Sequence, residues 1–446
     1  MSTASTTTRG RAPRVAMVVN NGLSNDARVI KTALSLRRAG AEVTVLGVAT
    51  AGGQRQETTA GGVRYVRLPV FPARGLSWDY ARFALRRRVS HLVRDPGRWS
   101  WTLPSLRRYH AAFSPELKRL APDVVHAHDI HLLDTLWRTW PAGQRPLVIY
   151  DAHEYVADLA VAGRRTQREV SSWAALERDR IAVADAVVTV SPEIAQRLAQ
   201  EQRLAVPPTV VHNAPLVLPD VTVERSLRDE LGLPSATPLA VYGGALSAAR
   251  GLHTVIEALA LVPRLHLAVI TVPFPHPMAA ELRALAEHCG VAERVHLVAP
   301  VAAHEVADFL KTADIGISPI IGAAASYDMA MPNKLFEFLH AGLRIVTSDV
   351  RSMSSFVLEH GLGRVFPQGD VDGCAGALLA ECALLGTPRS EVEQSVRAAL
   401  VDEYTWQRQE GPLIGVYRSA SQRTPVLGNL VVPEQPWNVD DLTVNF

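Results

Sequence analysis

The stretch MPNKLFEFLHAGLRIVTSD, Met331 to Asp349, runs as a loop, a helix, a glycine stop and a strand, and its reading decides the fold. Pro332 suits the first helical turn, where its missing N–H costs nothing, and Gly342 suits the helix C-terminus. A helix that empties directly into a short apolar strand is the repeating unit of an α/β domain.

Working outward, the unit recurs. PLAVYGG, HLAVIT, RVHLVAP, DIGISPI and RIVTSD are each followed by a helix-length segment, starting near Gly251, Pro277, Ala303, Pro332 and Met353. From Arg14 to Asn213 an earlier series (RVAMVV, EVTVLG, DVVHAH, LVIYD, AVVTVS, TVVHN) alternates with helical patterns such as Ala27 to Ala39 and Pro192 to Gln200. Such alternation implies a parallel sheet covered on both faces. The expected fold is therefore α/β, with two doubly wound, Rossmann-like domains facing a cleft, and ligands beyond the carboxyl ends of the strands. Pro215 to Pro238, with four prolines and no long apolar run, reads as the linker. The expected division is a disordered leader (1–13), an N-terminal domain (14–217), a C-terminal domain (218–403), an amphipathic helix packing back toward the N-terminal domain (404–420) and an irregular tail (421–446).

Composition narrows the function. With 48% hydrophobic and 20% charged residues the chain can bury a large core, and 46 Lys+Arg against 44 Asp+Glu give a net charge of only +2. No global field selects nucleic acid, and no recognition motif for it is present. Cys289, Cys374 and Cys382 are scattered, without a CxxC, which argues for a reducing compartment and against a cysteine-rich zinc site. The leader lacks an apolar h-region and no apolar run is long enough to span a membrane, so a cytoplasmic location is expected.

In the opening stretch Lys334 and Glu337 share a helix face. Amides at a helix start, together with an ammonium, form an anion site suited to a diphosphate, and a carboxylate one turn later can accept two ribose hydroxyls. The same spacing also suits a solvated ion pair. With its P-x-K-x-x-E-x-x-x-x-G pattern, the stretch resembles the donor-binding helix of the retaining GT-B glycosyltransferases of family four (glycosyl transferases group 1). The similarity extends over nearly the whole chain, Arg14 to Ser419. It implies that Glu337 holds the donor ribose and that Lys334 lies beside the diphosphate; Leu335 and Val301 are expected among the donor-binding residues, with backbone near Pro300 to His304 meeting the base. One departure stands out: where many members carry E-x7-E, this chain has Met329, with Asp328 beside it. Asp328 is either a substitute contact to the transferred sugar or a turn residue.

YGGALSAARGLHTVIEAL, from Tyr242, carries Gly243 and Gly244 after a strand and Arg250 at a helix mouth. Glycines there let backbone approach phosphate, or mark only a tight turn, and Arg250 adds a permanent charge. The segment resembles the family loop whose arginine and lysine neutralise the leaving diphosphate. Arg250 fills the lysine position and Ala245 the arginine position. It is not a dinucleotide fingerprint, which weighs against a nicotinamide dehydrogenase.

In the first half, HAHDIH places His126 and His128 on one face of a strand. The resemblance puts His128 near the donor sugar, with Asp129 at the strand end toward an acceptor, while His126 reads as a core residue. YDAHEYV sets His153 and Glu154 at another strand end, as acceptor contacts or as polar loop residues. In NNGLSNDARVI, Gly22 permits close approach, Asn25 or Asp26 caps the following helix, and Arg28 is a cleft cation or a surface residue. No metal site and no cofactor are expected. From Trp78 to Phe113 arginines gather around Trp99 and Trp101, which suits an anionic acceptor or peripheral contact with the inner membrane face, or else an Arg-rich lid. The expected activity is retaining transfer of a sugar from a UDP- or GDP-sugar to a small metabolite, lipid or glycan. A sugar-nucleotide epimerase or hydrolase, or a non-catalytic binding protein, would suit the same architecture.

Overall fold

The computed structural model describes residues 11–23, 26–72, 78–90, 92, 96–159, 165–218, 225–322, 324–329, 331–438 and 442. The leader as far as Gly10, together with Asn25, Arg94 and Asp95, lies outside the described residues.

Two sheets organise the chain. The first contains β1 (Arg14–Val18), β2 (Glu42–Val48), β3 (Gln56–Ala60), β4 (Val63–Leu68), β5 (Val124–His128), β6 (Leu147–Ala152), β7 (Ala186–Thr189) and β8 (Thr209–Val210). Its order is β3-β4-β2-β1-β5-β6-β7-β8, and β3 alone runs antiparallel to its neighbour. The second contains β9 (Leu239–Gly243), β10 (His266–Ile270), β11 (Val295–Val298), β12 (Ile315–Ser318), β13 (Arg344–Ser348) and β14 (Gly363–Phe366). Its order is β11-β10-β9-β12-β13-β14.

In each sheet the chain reverses its winding beside the first strand, between β1 and β5 and again between β9 and β12. Loops leaving the carboxyl ends of those strands diverge there and open a crevice. The residues at these ends are Val19 to Leu23 and Asp26, His128 and Asp129, and Gly243 to Gly251. Local chemistry holds the helices that come next. The Asp26 carboxylate accepts from the amide of Val29 at the start of the Ala27–Arg38 helix, and Ser191 does the same for Ile194 in the Pro192–Gln202 helix.

The helix Trp406–Ser419 returns to the first domain. Trp406, Leu413, Ile414 and Tyr417 join Val15, Met17 and Val45 in one core. From Ala420 to Asn438 the chain is irregular, but it is not a loose tail. It forms short 3-10 turns at Ala420–Gln422 and Pro425–Asn429, and Leu427, Leu430 and Trp437 are buried in the same core. The outgoing and returning crossings touch, because the Trp406 amide donates to the Pro215 carbonyl at 2.7 Å. Phe336, Tyr404 and His212 pack ring against ring beside them.

Candidate functional site

On the C-terminal side, β9 ends in Tyr242 and Gly243, and Gly244 follows. A side chain on Gly243 would meet open space, whereas Gly244 has φ +132° and a Cβ there would stand 3.6 Å from Lys334 Nζ. Glycine at position 251 is compulsory. Its φ is +70°, it starts the Leu252–Leu259 helix, and a Cβ would fall 1.8 Å from the Pro319 carbonyl oxygen.

Lys334 lies in the first turn of the Asn333–His340 helix and is 7% exposed. Its ammonium sits 3.9 Å from the centroid of the Tyr242 ring, and it has no hydrogen-bond partner among the described residues. Burial, reinforced by Arg250, pushes the ammonium well below the usual lysine range, with Glu337 opposing. Burial raises the Glu337 carboxyl, against the pull of Lys31 and Lys334. Arg250 lies over the Tyr327 ring at 5.2 Å. Lys334 thus senses both Arg250 and Glu337, and its nitrogen is buried without a hydrogen-bond partner among the described residues.

Other expectations fare differently. The Leu335 side chain is fully buried in the domain core and its amide donates to the Pro332 carbonyl, so it has nothing left to offer a diphosphate. Val301 is partly buried against the core beneath the loop after β11. Nothing in the fold requires glycine at Gly22, where a Cβ would make ordinary contact with the Val48 carbonyl at 3.7 Å. Asp328 accepts from the Arg351 amide at 3.2 Å and pairs with the Arg351 side chain, which ties it to the start of the Arg351–Glu359 helix. Met329 faces the other way. It is buried in the core of the N-terminal domain, and its carbonyl accepts from the Ser191 hydroxyl at 2.6 Å. A carboxylate at that position would be buried against apolar side chains, so the structure accounts for methionine there.

The N-terminal side is built on β5 and β6. Arg28 is neither a cleft cation nor a surface residue. It is 3% exposed and grips Asp151 with two hydrogen bonds of 2.8 Å, while donating a third to the Val211 carbonyl. Burial works against the charge on Asp151, and Arg28 and His153 overcome it, holding the carboxyl well below its usual range. His126 and His128 are both fully buried and stacked 4.5 Å apart. His126 also bonds the Tyr417 hydroxyl of the returning helix. The residue that reaches the cavity is His153, 3.1 Å from His128. With Asp129, Glu154, His131, Arg165 and Trp173 it lines a cavity of about 280 Å³.

His126, His128 and Asp151 lie within metal-ligand reach of one another. Arg28 occupies both oxygens of Asp151 and Tyr417 occupies one nitrogen of His126, a donor set that does not fit a cation.

Sequence reading missed Asp151, because its partner Arg28 is 123 residues away. It also missed Lys31, whose ammonium bonds the Ala214 carbonyl, lies 4.6 Å from the Trp406 ring centroid and faces Glu337 across the domain boundary. Burial, with Arg28 nearby, lowers Lys31 to about 7.

Two family models match. Residues 27–214 match the glycosyl transferase 4-like domain and residues 237–382 match glycosyl transferases group 1. A D-inositol 3-phosphate glycosyltransferase of Xylanimonas cellulosilytica is 26% identical over 440 residues, 93% of this chain and 99% of that protein. Among solved structures, the sucrose-phosphate synthase of Thermosynechococcus elongatus aligns with a TM-score of 0.71 at 18% identity, covering 92% of this chain and all of that one. The Anabaena protein HepE in complex with UDP-glucose aligns at 0.60 and 13%, covering 91% and 99%. Two parallel-sheet domains, with a family match for each half, make this chain a GT-B glycosyltransferase of the family 4-like, group 1 type, which transfers a sugar from a nucleotide sugar.

Proposed function

We propose that the donor is a UDP- or GDP-sugar, that transfer retains the anomeric configuration, and that the acceptor is a small hydroxylated metabolite bound in the cavity of the N-terminal domain. The observation that supports this most is the Lys334 ammonium, buried without a bonded partner between Gly244, Tyr242 and Arg250. A diphosphate is the anion of matching size and charge. In this scheme Arg250, Lys334 and the first amides of the Asn333–His340 helix stabilise the departing diphosphate, and Glu337 accepts the ribose hydroxyls. A leaving phosphate oxygen takes the acceptor proton on the same face, so neither a protein nucleophile nor a cofactor is needed. The relative that acts on D-inositol 3-phosphate makes a phosphorylated cyclitol the first acceptor to try.

Thermal-shift screening of nucleoside diphosphates tests the donor site, since a ligand at about 100 times its dissociation constant stabilises by about 2.7 kcal/mol. The shift is expected with UDP or GDP and is expected to vanish in Glu337→Ala and Lys334→Ala. Unchanged binding in both variants would refute the site. Anomeric proton NMR of the product from UDP-glucose and D-inositol 3-phosphate checks retention.

The arginine-rich segment adds a peripheral reading. Among the described residues no helix is long and apolar enough to cross a membrane. Trp78, Leu85 and Trp101 are 85%, 60% and 62% exposed, close to Arg82, Arg86, Arg107 and Arg108, which line a cavity of about 210 Å³. Trp99, by contrast, is buried and bonds Asp179. The exposed set suits an anionic lipid surface at the cytoplasmic face. Co-sedimentation with anionic but not neutral vesicles is the expected result.

A further inference from the structure

Transfer requires an acceptor hydroxyl held still against the donor, and the cavity in the N-terminal domain offers a carboxylate for that task. Asp129 follows β5 directly, with φ 61° and ψ 166°, a conformation that a non-glycine residue adopts only under constraint. Its amide donates to the Asp151 carbonyl at 3.0 Å. Its Oδ1 faces His153 Nδ1 at 3.6 Å. The other nitrogen of His153 lies 3.4 Å from Asp151 Oδ2 and 3.1 Å from His128 Nδ1. Asp151 in turn is clamped by Arg28. From the domain interior to the cavity the charges therefore alternate: Arg28, Asp151, His153, Asp129.

We infer that this chain of charges fixes Asp129 as the group that accepts a hydrogen bond from the acceptor's hydroxyl, with Asp151 as its positioning residue. The acceptor then turns a hydroxyl-bearing face, not an anionic one, to this wall. The inference rests on the sugar-transfer reading and adds to it which groups hold the acceptor. No described residue bonds Asp129 Oδ2, and the side chain is 28% exposed, so one oxygen is steadied by His153 while the other is open to a ligand.

The groups facing His153 are Asp129 and His128 at the end of β5, Asp151 on β6, the adjacent Glu154, and Arg28 from the Ala27–Arg38 helix. Burial and Arg28 lower the imidazole, and Asp129 and Asp151 outweigh them, lifting it to about 9. Burial raises Asp129 to about 6, with His153 opposing. Between those values imidazolium and carboxylate coexist, and the arrangement is intact.

The test needs no substrate in its first arm. NMR of the full chain with 15N-labelled histidine, from about pH 5 to about pH 10, reads His153 directly. The expected result is a pKa well above that of a free imidazole, falling by about one unit or more in Asp151→Asn, which keeps the shape and removes the charge. In the second arm UDP-glucose and D-inositol 3-phosphate serve as probes. Asp129→Asn and Asp151→Asn are expected to raise the acceptor KM about tenfold or more while leaving UDP affinity unchanged. A purely structural Asp151 would not produce that split. His153 titrating near 6.5 in the unaltered protein, or an unchanged acceptor KM in Asp129→Asn, overturns the inference. If Asp151→Asn does not fold, the unaltered protein carries the imidazole readout and His153→Gln carries the acceptor KM readout. Failure of the transfer reading shows itself separately, as loss of UDP binding at Lys334, and with no turnover from the probes the imidazole arm decides alone.

Discussion

The two sides of the crevice treat charge in opposite ways. In the N-terminal domain Arg28, Asp151, His153 and Asp129 neutralise one another in sequence. In the C-terminal domain Lys334 is nearly as buried, yet its ammonium has only the face of Tyr242 and no hydrogen-bond partner among the described residues. The first arrangement is complete within the protein and so favours rigidity. The second carries a standing desolvation cost that an anionic ligand relieves, and that cost is convertible into binding.

Removing one member from each side should therefore give contrary results, and this is the sharpest way to break the contrast. Arg28→Ala strips the buried Asp151 carboxylate of its two-pronged partner and is expected to destabilise the fold by about 3 kcal/mol in chemical denaturation. Lys334→Ala is expected to leave stability unchanged or slightly raised, while weakening UDP binding about 100-fold by calorimetry, or about 2.7 kcal/mol. If Lys334→Ala instead unfolds the protein, the lysine is structural and the contrast is lost.

A pH series sharpens it further. The raised pKa of His153 means that its stabilising contribution is whole below the unfolded value of about 6.5 and is lost as pH climbs through about 9. Stability by denaturant midpoint should decline across that window by an amount on the order of 1 kcal/mol, discounted because the side chain is partly exposed, and Asp151→Asn should flatten the decline. The smallest expected effect belongs to Asp328→Asn, which weakens the charge at the start of the Arg351–Glu359 helix by about 0.5 kcal/mol in thermal unfolding and does not alter UDP affinity. A large loss of binding there would return Asp328 to the donor site.

Much of this architecture was readable in advance. The central strands are short apolar runs followed by helices, so β1, β5, β9 and β12 announce themselves by composition. The hairpin of β3 and β4 does not, because QETTA at the sheet edge is polar and largely exposed; the Gly61-Gly62 turn is its one local signal. In the C-terminal domain the pairing of Lys334 with Glu337 was legible, since one helix carries both. The N-terminal domain was harder. His128 and Asp129 were visible, but the order His128 behind, His153 in front depends on the register that sets His128 against Asp151 across two strands. No local pattern could rank Arg28 as an internal clamp, or bring Lys31 under Trp406, because those contacts join residues far apart along the chain.

The returning helix has a consequence for biosynthesis. Trp406, Tyr417, Leu427 and Trp437 complete the apolar layer over Val15, Met17 and Val45, so the domain that carries the first sheet lacks part of its own interior until Trp437 leaves the ribosome. The second domain, whose strands run from Leu239 to Phe366, has its whole sheet in hand sooner. A ribosome stalled before Trp406 would therefore hold a nascent protein whose second sheet is complete and whose first domain still lacks part of its apolar layer.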